Sequence, residues 1–455
     1  MMSKENLINY TDNYRPEFHY SCRSGWMNDP NGLIFFNGYY HLYYQHDPDR
    51  IVHDGFMHWG HARSKNLVDW EELPVALSPD EKGEIFSGCI VDDRDNTSGF
   101  GEGDLTPLVA VFTHNFESGT IKKQYQSLAF SLDGGISFTK YENNPVLDLG
   151  LQDFRDPKVF WDEKTKRWIM LVAALNTVRI FSSENLRAWT QESVFSTGDL
   201  AEDEIWECPD LVCMETEDGK KKWVLIVSQN TLDYRKTGVR YFIGEFDGSS
   251  FFPDTGISKK QFLDFGRDNY AAATFQKTEN RNIQISWMDC WAYAQSTPEK
   301  GFRGIMTIPR ELFLIGSKNE MKIGQRIAAE VTERLPEIQI NSRRYDAGKL
   351  SGIYILPLKI KKGKILIGNT QERVDIKFDY EAGKIYVDRS RSGFIPGEEF
   401  FEIKEGDLRG ETEKGFRIMI DTSSIEMFSL SGKTAGSFLY YAERPFQTIE
   451  VTEEV

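Results

Sequence analysis

Apolar residues in this chain fall in short runs rather than at helical spacing. Stretches such as "GLIFFNGYYHLYY", "RWIMLVAA" and "KKWVLIVSQ" are rich in Val, Ile, Tyr, Phe and Trp and end at turns containing Gly, Asn or Asp. That pattern predicts strands. Three segments share one layout: an acid beside a proline, an apolar strand, a polar turn and a second apolar strand. They are "NDPNGLIFFNGYYHLYYQ" with Asp29, "RDPKVFWDEKTKRWIMLVAA" with Asp156, and "ECPDLVCMETEDGKKKWVLIVSQ" with Glu207. Two more segments, "FSGCIVDDRDNTSGF" from Phe86 and "YAAATFQKTENRNIQISWM" from Tyr270, keep the strand plan without the acid. The starts at 29, 87, 156, 207 and 270 are 58, 69, 51 and 63 residues apart.

A second signal recurs in the same order. "SKNLVDW" (64–70), "SLDGGISF" (131–138), "SSENLRAW" (182–189) and "EFDGSSF" (245–251) are polar turns closed by an aromatic, as expected between the outer strands of a repeated sheet. Tandem four-stranded units of this kind predict an all-β fold, a five-bladed β-propeller. After "MTIPRELFLI" the chain turns polar, with a helical patch at "AAEVTERL". It then alternates apolar and polar residues with period two, which predicts a C-terminal β-sandwich whose sheets are exposed on one face. The expected division is an N-terminal extension at 1–17, a propeller at 18–320, a linker at 321–345 and a sandwich at 346–455.

The first strand of each propeller blade lines the central axis, so Asp29, Asp156 and Glu207, at equivalent places in three repeats, converge on one funnel. Like charges brought together raise one another's pKa, and structural acids have no reason to gather so. The recurrence therefore points to a site. Two carboxyl groups are what glycoside hydrolysis needs, one to protonate the leaving oxygen and one to attack or to activate water. Trp26, Trp59, Phe86, Trp206, Tyr270 and Trp291 are candidates for aromatic walls that stack on sugar faces, although each taken alone suits a core better.

Composition narrows the classes further. A net charge of −16 over 455 residues argues against nucleic acid or an anionic membrane as partner. The five cysteines (22, 89, 208, 213, 290) are odd in number and form no disulfide framework or CxxC pair. His58 and His61 of "HWGH" come nearest to a metal pattern but lack a third ligand, so no metal and no cofactor are expected. The start of the chain lacks the apolar core of a signal peptide, and no run is long enough to span a membrane, so a cytoplasmic location is expected. Nothing in the sequence sets the oligomeric state.

With these residues in view, the chain resembles glycoside hydrolase family 32, the β-fructofuranosidases: invertases, exo-inulinases, levanases and sucrose-6-phosphate hydrolases. The likeness rests on "WMNDPNG", "YYQHDP", "HWGHARSKNLVDW", "FSG", "NTSGF", "FRDPKVFW", "WECPDL", "DFGRDNYAAATF", "GFRGIMTIPREL" and "DTSSIEMF", in the family's order from about residue 18 to 430. It implies a five-bladed propeller with a β-sandwich and a retaining mechanism on terminal β-fructosyl units. It further implies Asp29 as nucleophile, Glu207 as acid/base and Asp156 as the residue that holds fructose hydroxyls and stabilises the transition state. Asn28, Gln45, Ser87 and Arg155 match positions that hold the fructose ring, and Asp264 matches an acid that contacts the leaving sugar in some invertases.

The resemblance breaks at one point. Where the family usually has a Trp before "WGH", this chain has Asp54 in "HDGFMHWGH", which implies a more polar edge to the sugar site. No cationic cluster near the motifs suits a 6-phosphate, so unphosphorylated sucrose, fructo-oligosaccharides or fructan ends are the expected substrates, with sucrose-6-phosphate hydrolysis the alternative. Fructosyl transfer through the same covalent intermediate is the nearest rival activity. A non-catalytic fructan-binding propeller is the rival of another class, and the presence of all three acids speaks against it.

Overall fold

The fold is described from a computed structural model that covers residues 14–198, 204–254, 260–316 and 321–454. Most of the expected N-terminal extension, residues 1–13, lies outside the described residues. From Gly25 to Ile327 the chain builds five successive antiparallel sheets of four sequential strands each, apart from a two-residue strand, Phe302–Arg303, that pairs in parallel with the first strand of the first sheet. The first strands of the five sheets are Gly25–Phe36, Glu84–Asp92, Phe154–Asp162, Glu204–Glu215 and Tyr270–Thr274. Each packs beside the first strand of the next sheet, and the fifth returns to the first. All four polar–aromatic turns fall between third and fourth strands, as at 64–70 between His58–Ser64 and Trp70–Leu77.

A repeated irregularity shapes the five first strands. Pairing with the second strand slips at Met27/Pro30, Ile85/Gly88, between Arg155 and Lys158, at Glu207/Asp210 and at Tyr270/Ala273. Each slip is a β-bulge, in which extra residues leave the ladder and re-aim their side chains. Pro157 and Pro209 sit inside two of these bulges, where a residue with no N–H breaks no ladder bond, and Pro30 closes the first one as the partner of Tyr44. Asp156, Cys208 and Ala271 take left-handed backbone at φ 66°, 48° and 52°. The bulges place 28–29, 86–87, 156 and 208 at matching positions around one axis.

The C-terminal sandwich consists of a five-stranded and a six-stranded sheet. Ile418, Ile420, Ile425, Met427 and Phe438 of the first face Ile365, Ile367, Val374, Ile376 and Phe378 of the second across a shared core. The first sheet is covered on its other face as well. Ile353, Met419, Phe428 and Leu439 join Met288, Tyr293, Phe302, Ile305 and Val331 of the N-terminal unit in one cluster. The expectation of one exposed face therefore holds only for the second sheet, because docking against the five-sheet unit buries the outer face of the first.

Residues 321–345 are not a free linker. Lys322–Ile327 is the fourth strand of the fifth sheet, Ala329–Arg334 is a short helix, and Glu337–Gln339 and Arg344–Asp346 join the two sandwich sheets. The alternation in "KIGQRI" (322–327) already carries the period of a strand, and its surrounding charges masked it.

Buried ions clamp the two units together. Arg310 bonds Asp264 at 2.8 Å and also pairs with Glu426 and Ser437. His19 bridges Asp421 and Glu426, each at 2.8 Å, with both ring nitrogens engaged. Burial disfavours charge on His19, but the two carboxylates win and raise its pKa to about 9. Asp421 is likewise opposed by burial but held down to about 2 by His19 and by the backbone N–H groups of Glu17 and Phe18.

Candidate active site

The bulges bring Asp29, Asp156 and Glu207 into one cluster, with Cys208 at its centre. The Cys208 backbone N–H donates to Asp156 Oδ2 at 2.9 Å, and its thiol lies 3.6 Å from that oxygen and 3.5 Å from Asp29 Oδ2. One residue thus touches two of the acids and adjoins the third.

Each acid has its own set of partners. Asp29 accepts from Asn28 Nδ2 at 2.9 Å and from Ser87 Oγ at 2.8 Å. Trp26 fixes Asn28 in turn by donating its indole N–H to Asn28 Oδ1 at 2.8 Å. Burial and then the charge of Glu207 push the Asp29 pKa up, while Ser87, Asn28 and Cys208 pull it back.

Asp156 is 5% exposed. Burial raises its pKa to about 7; Arg155 opposes this, and Glu207 and Asp29 add to it. Glu207 accepts from Arg155 on Oε1, at 2.9 Å from Nη2 and 3.2 Å from Nε. Its other oxygen takes the Tyr270 hydroxyl and lies 3.5 Å from Asn230 Nδ2. Asp153, at 2.6 Å, and Gln124, at 3.3 Å, hold the far side of the Arg155 guanidinium.

The aromatic candidates separate by burial. Trp26, Trp59 and Trp206 are fully buried and Tyr270 is 2% exposed, so they support the pocket from behind. Phe86 and Trp291 are half-buried and pack on the cluster of Trp26, Tyr270 and Trp287, which also includes Cys208. Gln45 is buried and donates to the Ile85 carbonyl at 3.0 Å, fixing the segment that carries Phe86 and Ser87.

Two expectations need correction. Asp264 does not stand at the cluster of the three acids: Arg310, the Ser437 backbone N–H at 2.9 Å and hydroxyl at 2.7 Å, and the Gly266 N–H at 2.7 Å bind it at the junction of the two units. A carboxylate placed there neutralises a buried guanidinium. Asp54 ion-pairs with Arg50 at 2.7 Å, and it is its neighbour His53 that packs on Trp26 and Trp291. Sequence reading missed Tyr270 as a partner of Glu207, and Asn230 and Asp153 altogether. Tyr270 carried a signal, since it opens the fifth repeat where the other repeats carry their site residues.

His58 bonds the Phe56 carbonyl and His61 pairs with His41, at 2.6 and 3.0 Å. Among the described residues no group of three or more His, Cys, Asp or Glu is placed to hold a metal ion. All five cysteines are free.

Comparison with known proteins agrees with this arrangement. Residues 19–326 match the Glycosyl hydrolases family 32 N-terminal domain, and residues 352–454 match the Glycosyl hydrolases family 32 C terminal domain. The chain is 37% identical over 473 residues to a levanase of Bacillus subtilis, covering 97% of this chain and 68% of the relative. Among solved structures, the exo-inulinase of Aspergillus awamori superposes with a TM-score of 0.86 at 31% identity, covering 98% of this chain and 96% of that one. A fructofuranosidase of Schwanniomyces occidentalis complexed with fructose gives 0.85 at 29% identity, covering 99% and 97%.

Proposed function

The chain belongs to glycoside hydrolase family 32, and we propose that it is a retaining β-fructofuranosidase releasing terminal fructose from sucrose, fructo-oligosaccharides or fructan. The observation that carries this reading is the cluster itself: three carboxylates on equivalent bulges, each with different partners. In the proposed architecture the five sheets are the blades of a propeller, which the ring of first strands supports. A catalytic unit through Ile327 and a sandwich from Glu337 are the proposed domains.

Asp29 is the nucleophile. It stands at the base of the cluster with Asn28, Ser87 and Cys208 as donors, which favour the ionised form that attack on the anomeric carbon requires. Glu207 is the acid/base. Arg155 occupies Oε1, so Oε2, beside the Tyr270 hydroxyl, is the oxygen that passes a proton to the departing sugar. That proton returns when Glu207 takes one from the water that cleaves the fructosyl–Asp29 ester. Asp156 serves the fructose hydroxyls. Its high pKa lets it donate or accept a hydrogen bond near neutral pH. Phe86 and Trp291 offer apolar faces to the ring.

The relatives named levanase and exo-inulinase support fructan ends among the substrates. The test is a side-by-side assay of sucrose, inulin, levan and sucrose-6-phosphate with released fructose quantified. Fructose release by the wild type, abolished in Asp29→Asn, is expected. Early transfer products at high sucrose would move the reading to a fructosyltransferase, and no turnover of any fructoside would overturn it.

A further inference from the structure

The loop between the strands Tyr39–Asp47 and His58–Ser64 closes one side of the aromatic cluster. Met57 is buried in that cluster, while Arg50, Asp54 and Phe56 turn outward. Asp54 pairs with Arg50, and Phe56 is 59% exposed with the Arg50 guanidinium over its ring. His53 turns inward. Its ring meets Trp291 at 5.2 Å and 79° and Trp26 at 5.8 Å and 67°, edge-to-face in both cases. Those two indoles stack on each other at 6.1 Å and 22°.

The contact leads straight to the acids. Trp26 is bonded to Asn28, and Asn28 to Asp29, so the imidazole stands two residues away from the nucleophile. Trp26 is fully buried, whereas His53 and Trp291 are only half-buried. His53 and Trp291 thus stand with Phe86 and Cys208 among the partly exposed side chains gathered around Trp26.

We propose that His53 is a sugar-contacting residue, and that its ring nitrogens help decide how the pocket ranks fructosides. This inference rests on the pocket being a fructosyl site. An imidazole presents a flat ring edge together with one hydrogen-bond donor and one acceptor. A sugar hydroxyl matches both, and no hydrocarbon ring can. Burial lowers the pKa of His53, with Glu84, Asp47 and Asp54 opposing, so the ring facing the sugar is neutral around pH 7.

Two replacements separate contact from packing. His53→Phe keeps a ring of similar size against Trp26 and Trp291 and removes both nitrogens. His53→Gln keeps a donor and an acceptor and removes the ring. For both variants, kcat and KM on sucrose, inulin and levan, the inhibition constant of fructose, and the thermal midpoint are measured. Loss of one hydrogen bond is worth about 1.4 kcal/mol, or about tenfold in binding. His53→Phe should therefore raise the fructose inhibition constant about tenfold and change the kcat/KM ratios between substrates, with KM moving more than kcat and the thermal midpoint held. His53→Gln should recover part of the fructose binding.

An unchanged inhibition constant and unchanged ratios in His53→Phe would overturn the proposal. So would an equal loss on every substrate that tracks a lower thermal midpoint, because that is what packing alone produces. A wild-type enzyme that releases no fructose would overturn the functional reading instead.

Discussion

Replacing Asp156 by Asn should make the protein more stable above neutral pH while abolishing turnover. Asp156 is 5% exposed, and burial holds its pKa at about 7 against an ordinary 3.8. That is about three units, or about 4 kcal/mol of differential cost for carrying the charge in the fold. The sign follows from linkage. A carboxyl whose folded pKa is raised binds its proton more tightly when folded, so its contribution is fully present below 3.8 and is lost as pH climbs through 7. An amide never ionises and escapes that loss. The introduced side chain can still accept from the Cys208 N–H through its carbonyl oxygen, but its NH2 group must find acceptors, at a cost of about 1–2 kcal/mol. The net gain at pH 8 is then about 2–3 kcal/mol. At about 2 °C per kcal/mol for a domain of this size, the thermal midpoint should rise by about 5 °C. Calorimetry of both proteins from pH 4 to pH 8 tests the argument, because carboxylates common to the two cancel in the difference. At pH 4 the variant should be the less stable by about 1 kcal/mol, the cost of its NH2 group; the difference should change sign near pH 5, grow in the variant's favour to pH 7 and level off above. A gap independent of pH, or a variant less stable at pH 8, would refute the reasoning.

Glu207→Gln should lose about 10³-fold in kcat on sucrose but keep a fast first step on an activated fructoside, which needs little proton assistance; equal loss on both substrates would remove its acid role. Asp264→Ala leaves buried Arg310 short of a counter-ion, so the thermal midpoint should fall by the equivalent of about 3–5 kcal/mol. The kcat/KM ratios among sucrose, inulin and levan should stay fixed, and a shift in them would restore Asp264 to the sugar site. His19→Gln should cost about 3 kcal/mol at pH 6, since the folded pKa of about 9 lies about 2.5 units above the ordinary value. That contribution is present below about pH 6.5 and lost as pH rises through 9, so the difference in midpoint between wild type and variant should shrink between pH 7 and pH 10.

The sheets were legible because second strands such as Arg167–Ala174 and Lys221–Thr231 carry long apolar runs and the outer turns repeat one polar–aromatic signature. Lys322–Ile327 was not, since an outer strand of six residues with Lys, Gln and Arg among them has the composition of a linker. The two-sided burial of the sandwich's first sheet was hidden for another reason. Alternation along a strand tells which residues share a face, and Met419 and Phe428 are apolar on the face that a lone sandwich would leave wet. Only the presence of a docking unit explains them.

The three acids were visible for a reason that also explains why their partners were not. A residue inside a bulge has left the ladder, and the prolines at 157 and 209 are tolerated because the bulge needs no N–H there, while Pro30 marks the end of the first bulge. An acid beside a proline at the head of an apolar run is therefore a local mark of a side chain re-aimed toward the axis, and it can be read without any contact. Tyr270 stands just before the bulge of the fifth sheet, as Glu207 does in the fourth, but with no proline and no charge, so the local mark is missing although the position is the same. Asp264 misleads in the opposite sense. It is an acid in a matched motif, but its role depends on Arg310, 46 positions away in sequence, and on Ser437 of the second unit. Two acids that look alike in sequence part because one joins the cluster of three carboxylates and the other meets a buried guanidinium. Nothing short of the packed interface between the two units distinguishes them.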